Sequence, residues 1–227
     1  MASILPGYEY DIFISYRHND NLDGWVSEFV LQLEKELRST VKDSLSIYFD
    51  KNPHDGLLET HQVDKSLTGK LKCLVFIPII SQTYCDTKSF AWQHEFCVFN
   101  QLSQQDKFGR DIRLSHGNVT SRILPVRIHD IDAEDKATLE RELNGVLRSI
   151  DFIFRAPGVN RPLRDKEENP QDNLNKTYYR DQVNKVANTI KEIVAALKNP
   201  DVQIGQPKSP VAPSSPSPNQ KSNRKAW

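Results

Sequence analysis

CLVFIPIISQTYCDTKSFAWQHEF, Cys73 to Phe96, is the stretch whose reading decides the fold. Its first eight residues, Cys73 to Ile80, are apolar or nearly so, without the polar alternation of a half-exposed strand. Such a run reads as a strand covered on both faces. A strand covered twice belongs in the middle of an α/β sheet. In open sheets of that kind ligands collect outside the carboxyl ends of the strands. The loop from Ser81 and the helix after it, which carries Trp92 and Glu95, therefore fall where a site is expected.

Outward from that centre, strand and helix signals alternate. Tyr10 to Tyr16 (YDIFISY) reads as the first strand, and Leu22, Trp25, Val26, Phe29, Val30, Leu33 and Leu37 then recur at helical spacing. Ser44 to Phe49 is a short second strand. Lys51 to Gly56 is turn chemistry, and Val63, Leu67 and Leu71 suggest a short second helix. The helix after the third strand runs from about Ser89 to Leu102, with Phe90, Phe96, Phe99 and Leu102 as its apolar face. Arg122 to Ile128 is a fourth strand and Ala133 to about Leu147 its helix; Asp151 to Ala156 is a fifth, followed by a strongly periodic helix from Thr177 to Leu197. Five strand-then-helix repeats predict a parallel sheet with right-handed crossovers and helices on both faces.

Two polar stretches, Gln104 to Thr120 and Pro157 to Lys176, read as surface excursions. Residues 1–198 are expected to form the domain. Residues 199–227, with six prolines from Pro200 onward and almost no large apolar residues, read as an extended linker or disordered tail. Either the domain is cut from a longer polypeptide at this linker, or the tail is itself a docking segment.

Composition narrows the partners. Thirty basic residues balance thirty acidic ones in a chain of 227, and no segment concentrates Lys or Arg into a phosphate-backbone footprint, so nucleic acid is not expected. The longest apolar run is far below the about 20 residues of a membrane span, and the N-terminus lacks a signal-peptide pattern. A cytoplasmic location follows. Three cysteines, at 73, 85 and 97, show no CxxC spacing, which predicts reduced thiols and no metal site.

The loops select among α/β families. A dinucleotide-binding turn needs glycines so that backbone can approach pyrophosphate, yet Tyr16 to Asn21 holds none before Gly24. A P-loop is absent for the same reason. The third strand ends Pro78-Ile79-Ile80-Ser81 rather than in the acidic acceptor of a receiver domain. In contrast, DIFISYR at the end of the first strand, YFDKNPHDG after the second and FIPIISQTY with SFAWQHEF across the third strand and its helix resemble the TIR (Toll/interleukin-1 receptor) domain of bacterial type. The three blocks stand in family order and spacing over Asp11 to Phe99, and the LPVRI block extends the likeness toward residue 130.

This resemblance implies a flavodoxin-like α/β fold, a five-stranded parallel sheet of order 2-1-3-4-5 with its switch point between the first and third strands. It implies an NAD+ hydrolase or cyclase, acting in bacterial immune or stress signalling (antiphage defence, innate immunity) and activated by self-association. NAD+ would be the substrate, with no cofactor besides. Glu95 is the implied catalytic glutamate, although Trp92 precedes it by three residues where many members have four. Phe13, Ser15, Tyr16, Arg17, Asp50 and Trp92 are the implied substrate-binding residues. Pro53, His54, Asp55, Gly56, Leu57 and Leu58 match the family's interface loop. Implied partners are other TIR domains and a fused or associated sensor attached through the C-terminal linker.

The residues also admit plainer readings. Glu95 is either that catalytic group or an ordinary helix glutamate, and Trp92 either a stacking platform or a core aromatic. Arg17 is either a ligand contact or solvated, and Ser15 either a site residue or bonded to local backbone. His94 reads as a surface residue, pointing away from its neighbour. For the whole chain, the alternatives are a non-catalytic TIR interaction scaffold and a small-ligand sensor of flavodoxin type.

Overall fold

A computed structural model describes residues 3–50, 63–165 and 172–199. In chain order the strands are β1 (Tyr10–Ser15), β2 (Ile47–Tyr48), β3 (Cys73–Ile80), β4 (Asp111–Arg113), β5 (Val119–Ser121), β6 (Val126–Arg127), β7 (Ile150–Asp151), β8 (Ile153–Ala156) and β9 (Val159–Pro162). The helices are α1 (Trp25–Thr40), α2 (Val63–Lys70), α3 (Cys97–Gln105), α4 (Ala133–Leu143) and α5 (Tyr179–Lys198), with a 3-10 turn at His18–Asn21 and a π-helical turn at Ala91–Phe96. Five strands form one parallel sheet in the order β2-β1-β3-β6-β7. Counted along the chain that is 2-1-3-4-5, the flavodoxin-like arrangement expected from the sequence.

All eight residues of β3 are buried, because helices cover the sheet on both sides. Val75, Ile77 and Ile79 join Ile12 and Ile14 of β1 in a core closed by α1 and α5; Phe76 and Ile80 join Phe13 in a second core with Phe96, Phe99 and Leu139. Side chains alternate along a strand, so Ser15 shares the face of Phe13. That parity aims the Ser15 hydroxyl at the side where the π-helical turn lies.

The fourth strand is shorter than its sequence suggests, and Pro78 explains why. Phe76 donates its N–H to the Arg122 carbonyl at 2.9 Å and accepts from Leu124 N–H at 2.9 Å; farther along, Ile80 accepts from Ile128 N–H at 2.9 Å. Between them the ladder calls on the N–H of residue 78, which proline lacks. The pairing is thus an isolated bridge at Ile123 followed by the two residues of β6.

Several other elements differ from expectation. Asp151 to Ala156 is not one strand: Ile150–Asp151 pairs with β6, and Ile153–Ala156 folds into an antiparallel hairpin with β9. Both polar excursions are partly ordered as hairpins, since β4 pairs with β5. Helix α4 stops at Leu143 because Asn144 takes a left-handed conformation (φ 50°) and Gly145 donates its N–H back to the Glu140 carbonyl at 3.0 Å, a C-terminal cap. Leu22 is 85% exposed, for it precedes α1, which starts after the left-handed Gly24 (φ 79°). Phe90 likewise lies outside the core and stacks on His94 at 4.7 Å. No helix among the described residues is long and apolar enough to cross a membrane.

Arg122, only 1% exposed, ties the amino end of β3 to the loop before β4. It donates to the Leu74 carbonyl at 2.9 Å, the Cys73 carbonyl at 2.8 Å, the Gly109 carbonyl at 3.1 Å and the Asp106 carboxylate. Truncating it would leave three carbonyls without this donor and the partly exposed Asp106 carboxylate without its counter-charge. Arg122→Leu is therefore expected to lower unfolding free energy by about 3–5 kcal/mol, read as a shift in the urea midpoint.

Candidate active site

The carboxyl ends of β1 and β3 are the switch point of the sheet, since the chain leaves β1 toward β2 on one side and β3 lies on the other. Here Ser15, the last residue of β1, is fully buried. Its hydroxyl donates to Glu95 Oε2 at 2.5 Å and lies 2.9 Å from the Tyr84 hydroxyl. The Ser15 hydroxyl thus bonds distant side chains rather than local backbone.

Glu95 stands on the π-helical turn. In an α-helix, residues three apart share a face, and Trp92 and Glu95 would point the same way. The i→i+5 pattern, seen in the Cys97 N–H donated to the Trp92 carbonyl, turns the chain less per residue and spreads the two apart. Trp92 enters the core, 5% exposed, with its ring 5.0 Å from Phe96, while Glu95 reaches Ser15. The packing of Trp92 is thus that of a core aromatic.

Burial pushes the Glu95 carboxyl from the usual 4.5 up to about 7; the Ser15 hydrogen bond pulls it down, and the Asp50 carboxylate adds to the rise. The side chain nevertheless keeps part of its surface in contact with solvent. Tyr16 donates to the Asp50 backbone carbonyl, and its phenol is raised to about 12, by burial first and then by Asp50 and Glu95. Phe13 is fully buried, stacked between Tyr48 at 4.8 Å and Phe76 at 5.5 Å. It shares the sheet face of Ser15, two residues before it on β1.

Arg17 turns toward Asp86, 3.8 Å away, in a partly exposed pair. His94 is exposed and stacks on Phe90. Burial raises the Cys85 and Cys97 thiols to about 12, and neither is a thiolate near neutral pH. Among the described residues no group of three or more His, Cys, Asp or Glu side chains stands ready to hold a metal ion. Pro53, His54, Asp55, Gly56, Leu57 and Leu58 lie outside the described residues.

Two site residues escaped the sequence. Tyr84, fully buried, sits behind Ser15. Asp20 accepts from Ser81 Oγ at 2.6 Å and Thr83 Oγ1 at 3.1 Å, joining the loop after β1 to the loop after β3; burial raises its carboxyl. Neither shows a local pattern, since each acts through a partner more than sixty residues away. Compared with known proteins, the chain matches no family model and no curated sequence.

The raised Glu95 carboxyl makes a stability prediction. Below pH 4.5 it is protonated in both folded and unfolded states and contributes no difference. Between 4.5 and about 7 the unfolded chain ionises while the folded one holds its proton, so stability falls as pH rises. Glu95→Gln is expected to gain up to about 3 kcal/mol on wild type between pH 4.5 and pH 8, read from urea unfolding across that range.

Proposed function

We propose that this chain cleaves the bond between nicotinamide and ribose in NAD+, as a TIR-type hydrolase or cyclase that works when self-associated. The observation that carries this reading is the Glu95 carboxylate, bonded through one oxygen to Ser15 at the carboxyl ends of β1 and β3. A single acidic group suits the reaction. Nicotinamide leaves with the electrons of the C–N bond and departs neutral, so no general acid is required; positive charge develops on the ribose. A fixed carboxylate beside that charge stabilises the oxocarbenium-like transition state. Water then adds to the cation and releases a proton, giving ADP-ribose, or an internal nucleophile closes a cyclic product.

Other residues take supporting roles in this proposal. Arg17 is held only loosely by Asp86, and an exposed pair of that kind is worth little, so its guanidinium is free to exchange Asp86 for a pyrophosphate oxygen. Tyr16 and Asp50 line the same strand ends and shape the ribose side. Because a carboxylate is needed in its ionised form, a carboxyl near 7 makes the reaction pH-dependent in the neutral range. In the cell such a reaction would act in bacterial immune or stress signalling, with a sensor joined through the C-terminal segment.

One observation favours a scaffold instead. Leu22 and Phe90 are exposed on the segments that follow β1 and β3, and apolar groups there suit a protein contact. The two readings separate in one assay of the full chain at high concentration or under crowding, with a fluorogenic NAD+ analogue. Cleavage is expected, rising with pH through a midpoint near 7 to a plateau, and Glu95→Ala is expected to lose about 10²-fold or more. Undiminished turnover by Glu95→Ala would overturn the role of Glu95; no turnover in any assembled form would leave the scaffold.

A further inference from the structure

We propose that Tyr84 is a positioning residue of this site: its phenol donates to Ser15 Oγ, which donates to Glu95 Oε2, so that a directional chain holds one carboxylate oxygen from behind and leaves the other for a ligand hydroxyl. The inference rests on the role proposed for Glu95 and extends the site to a residue that never touches substrate.

Counting hydrogens sets the direction. A serine hydroxyl has one proton to give and two lone pairs. With Glu95 ionised, the 2.5 Å contact at Oε2 falls in the short, charge-assisted range, and the Ser15 proton goes to the carboxylate. Tyr84, 2.9 Å from the same Ser15 oxygen, must then be the donor. Its phenol keeps its proton, since burial holds it well above its ordinary value. Both hydroxyls are fully buried, where water cannot substitute for either partner.

The chain is anchored at its far end. Ser81 Oγ accepts the Tyr84 N–H at 3.0 Å and donates to Asp20 at 2.6 Å. The Tyr84 ring meets Phe96 edge-on at 6.3 Å, on the same π-helical turn as Glu95. Backbone, ring and hydroxyl of Tyr84 are thus all fixed relative to the carboxylate. A tyrosine present only for core packing would need a partner for its hydroxyl, but its loss would not reach the titration of Glu95.

That titration is the test. In full-length protein carrying glutamate labelled with carbon-13 at the carboxyl, the Glu95 signal is the one missing from Glu95→Gln, and its midpoint is followed by NMR. The other groups that bear on it are Asp50 after β2, Tyr16 at the end of β1 and Tyr48 on β2, the last bonded to Lys70 of α2; all are left in place. A hydrogen bond to the ionised form lowers a carboxyl midpoint, so its loss raises it. Ser15→Ala is expected to raise the Glu95 midpoint, and Tyr84→Phe to raise it by about half a unit, a threefold weaker acid. An unchanged midpoint in folded Tyr84→Phe overturns the proposal. If Tyr84→Phe does not fold, 3-fluorotyrosine substituted at position 84 tests it from the other side, because a more acidic phenol donates more strongly: a lowered midpoint supports the chain, an unchanged one overturns it. No substrate enters this measurement, so its outcome stands apart from whether the protein cleaves NAD+.

Discussion

Both faces of β3 are closed to water, and most of the structure follows from that. A strand with no exposed residue needs partners for its backbone on each edge and apolar cover on each side. β1 supplies one edge, the Arg122 to Ile128 segment the other, and five helices with the π turn supply the cover. At the amino end, where the ladder toward β1 begins, Arg122 satisfies the Cys73 and Leu74 carbonyls and brings Asp106 as its counter-charge. In the middle, Pro78 interrupts the ladder and leaves β6 short.

The same closure explains the surroundings of Glu95 at the carboxyl end. A sheet covered on both faces leaves a ligand only the ends of its strands, and in such sheets the switch point is where neighbouring connections leave in opposite directions. Glu95 is brought to the carboxyl ends of β1 and β3 by the widened π turn and is held there by a serine whose direction is set by strand parity. Partial removal from water shifts the carboxyl toward neutral pH, and the Ser15 hydrogen bond limits the shift. The balance leaves a group that changes charge near pH 7. Asp20 keeps the two loops that frame it in register through Ser81 and Thr83.

The local signals in the sequence were those with short periods. The apolar run of β3, the helical spacing of Trp25, Val26, Phe29, Val30, Leu33 and Leu37, and the periodicity of α5 all report burial of a face, and burial is what the structure shows for them. Segments whose pairing depends on competition between partners carry no such local signal. Phe152 to Ala156 has strand character, but β9 offered Ile153 to Ala156 an antiparallel partner, leaving only Ile150 and Asp151 to the main sheet. Leu22 fits a helical spacing yet precedes α1, and Phe90, in the first turn of its helix, faces solvent, because a spacing alone marks neither where a helix begins nor which side its first turn presents.

Glu95 could be singled out from its place after a buried strand and from the TIR-like blocks around it; its environment could not. Hydrophobic periodicity determines which segments become strands and helices, since each reports the burial of its own face. The meeting of Ser15, Tyr84 and Glu95 was decided by tertiary structure. Those residues lie 69 and 80 positions apart in the chain, and only the parallel alignment of β1 with β3, together with a π turn that no spacing rule announces, brings their oxygens within hydrogen-bonding distance. The raised carboxyl follows from that meeting, because desolvation belongs to a place in the fold and not to a residue type.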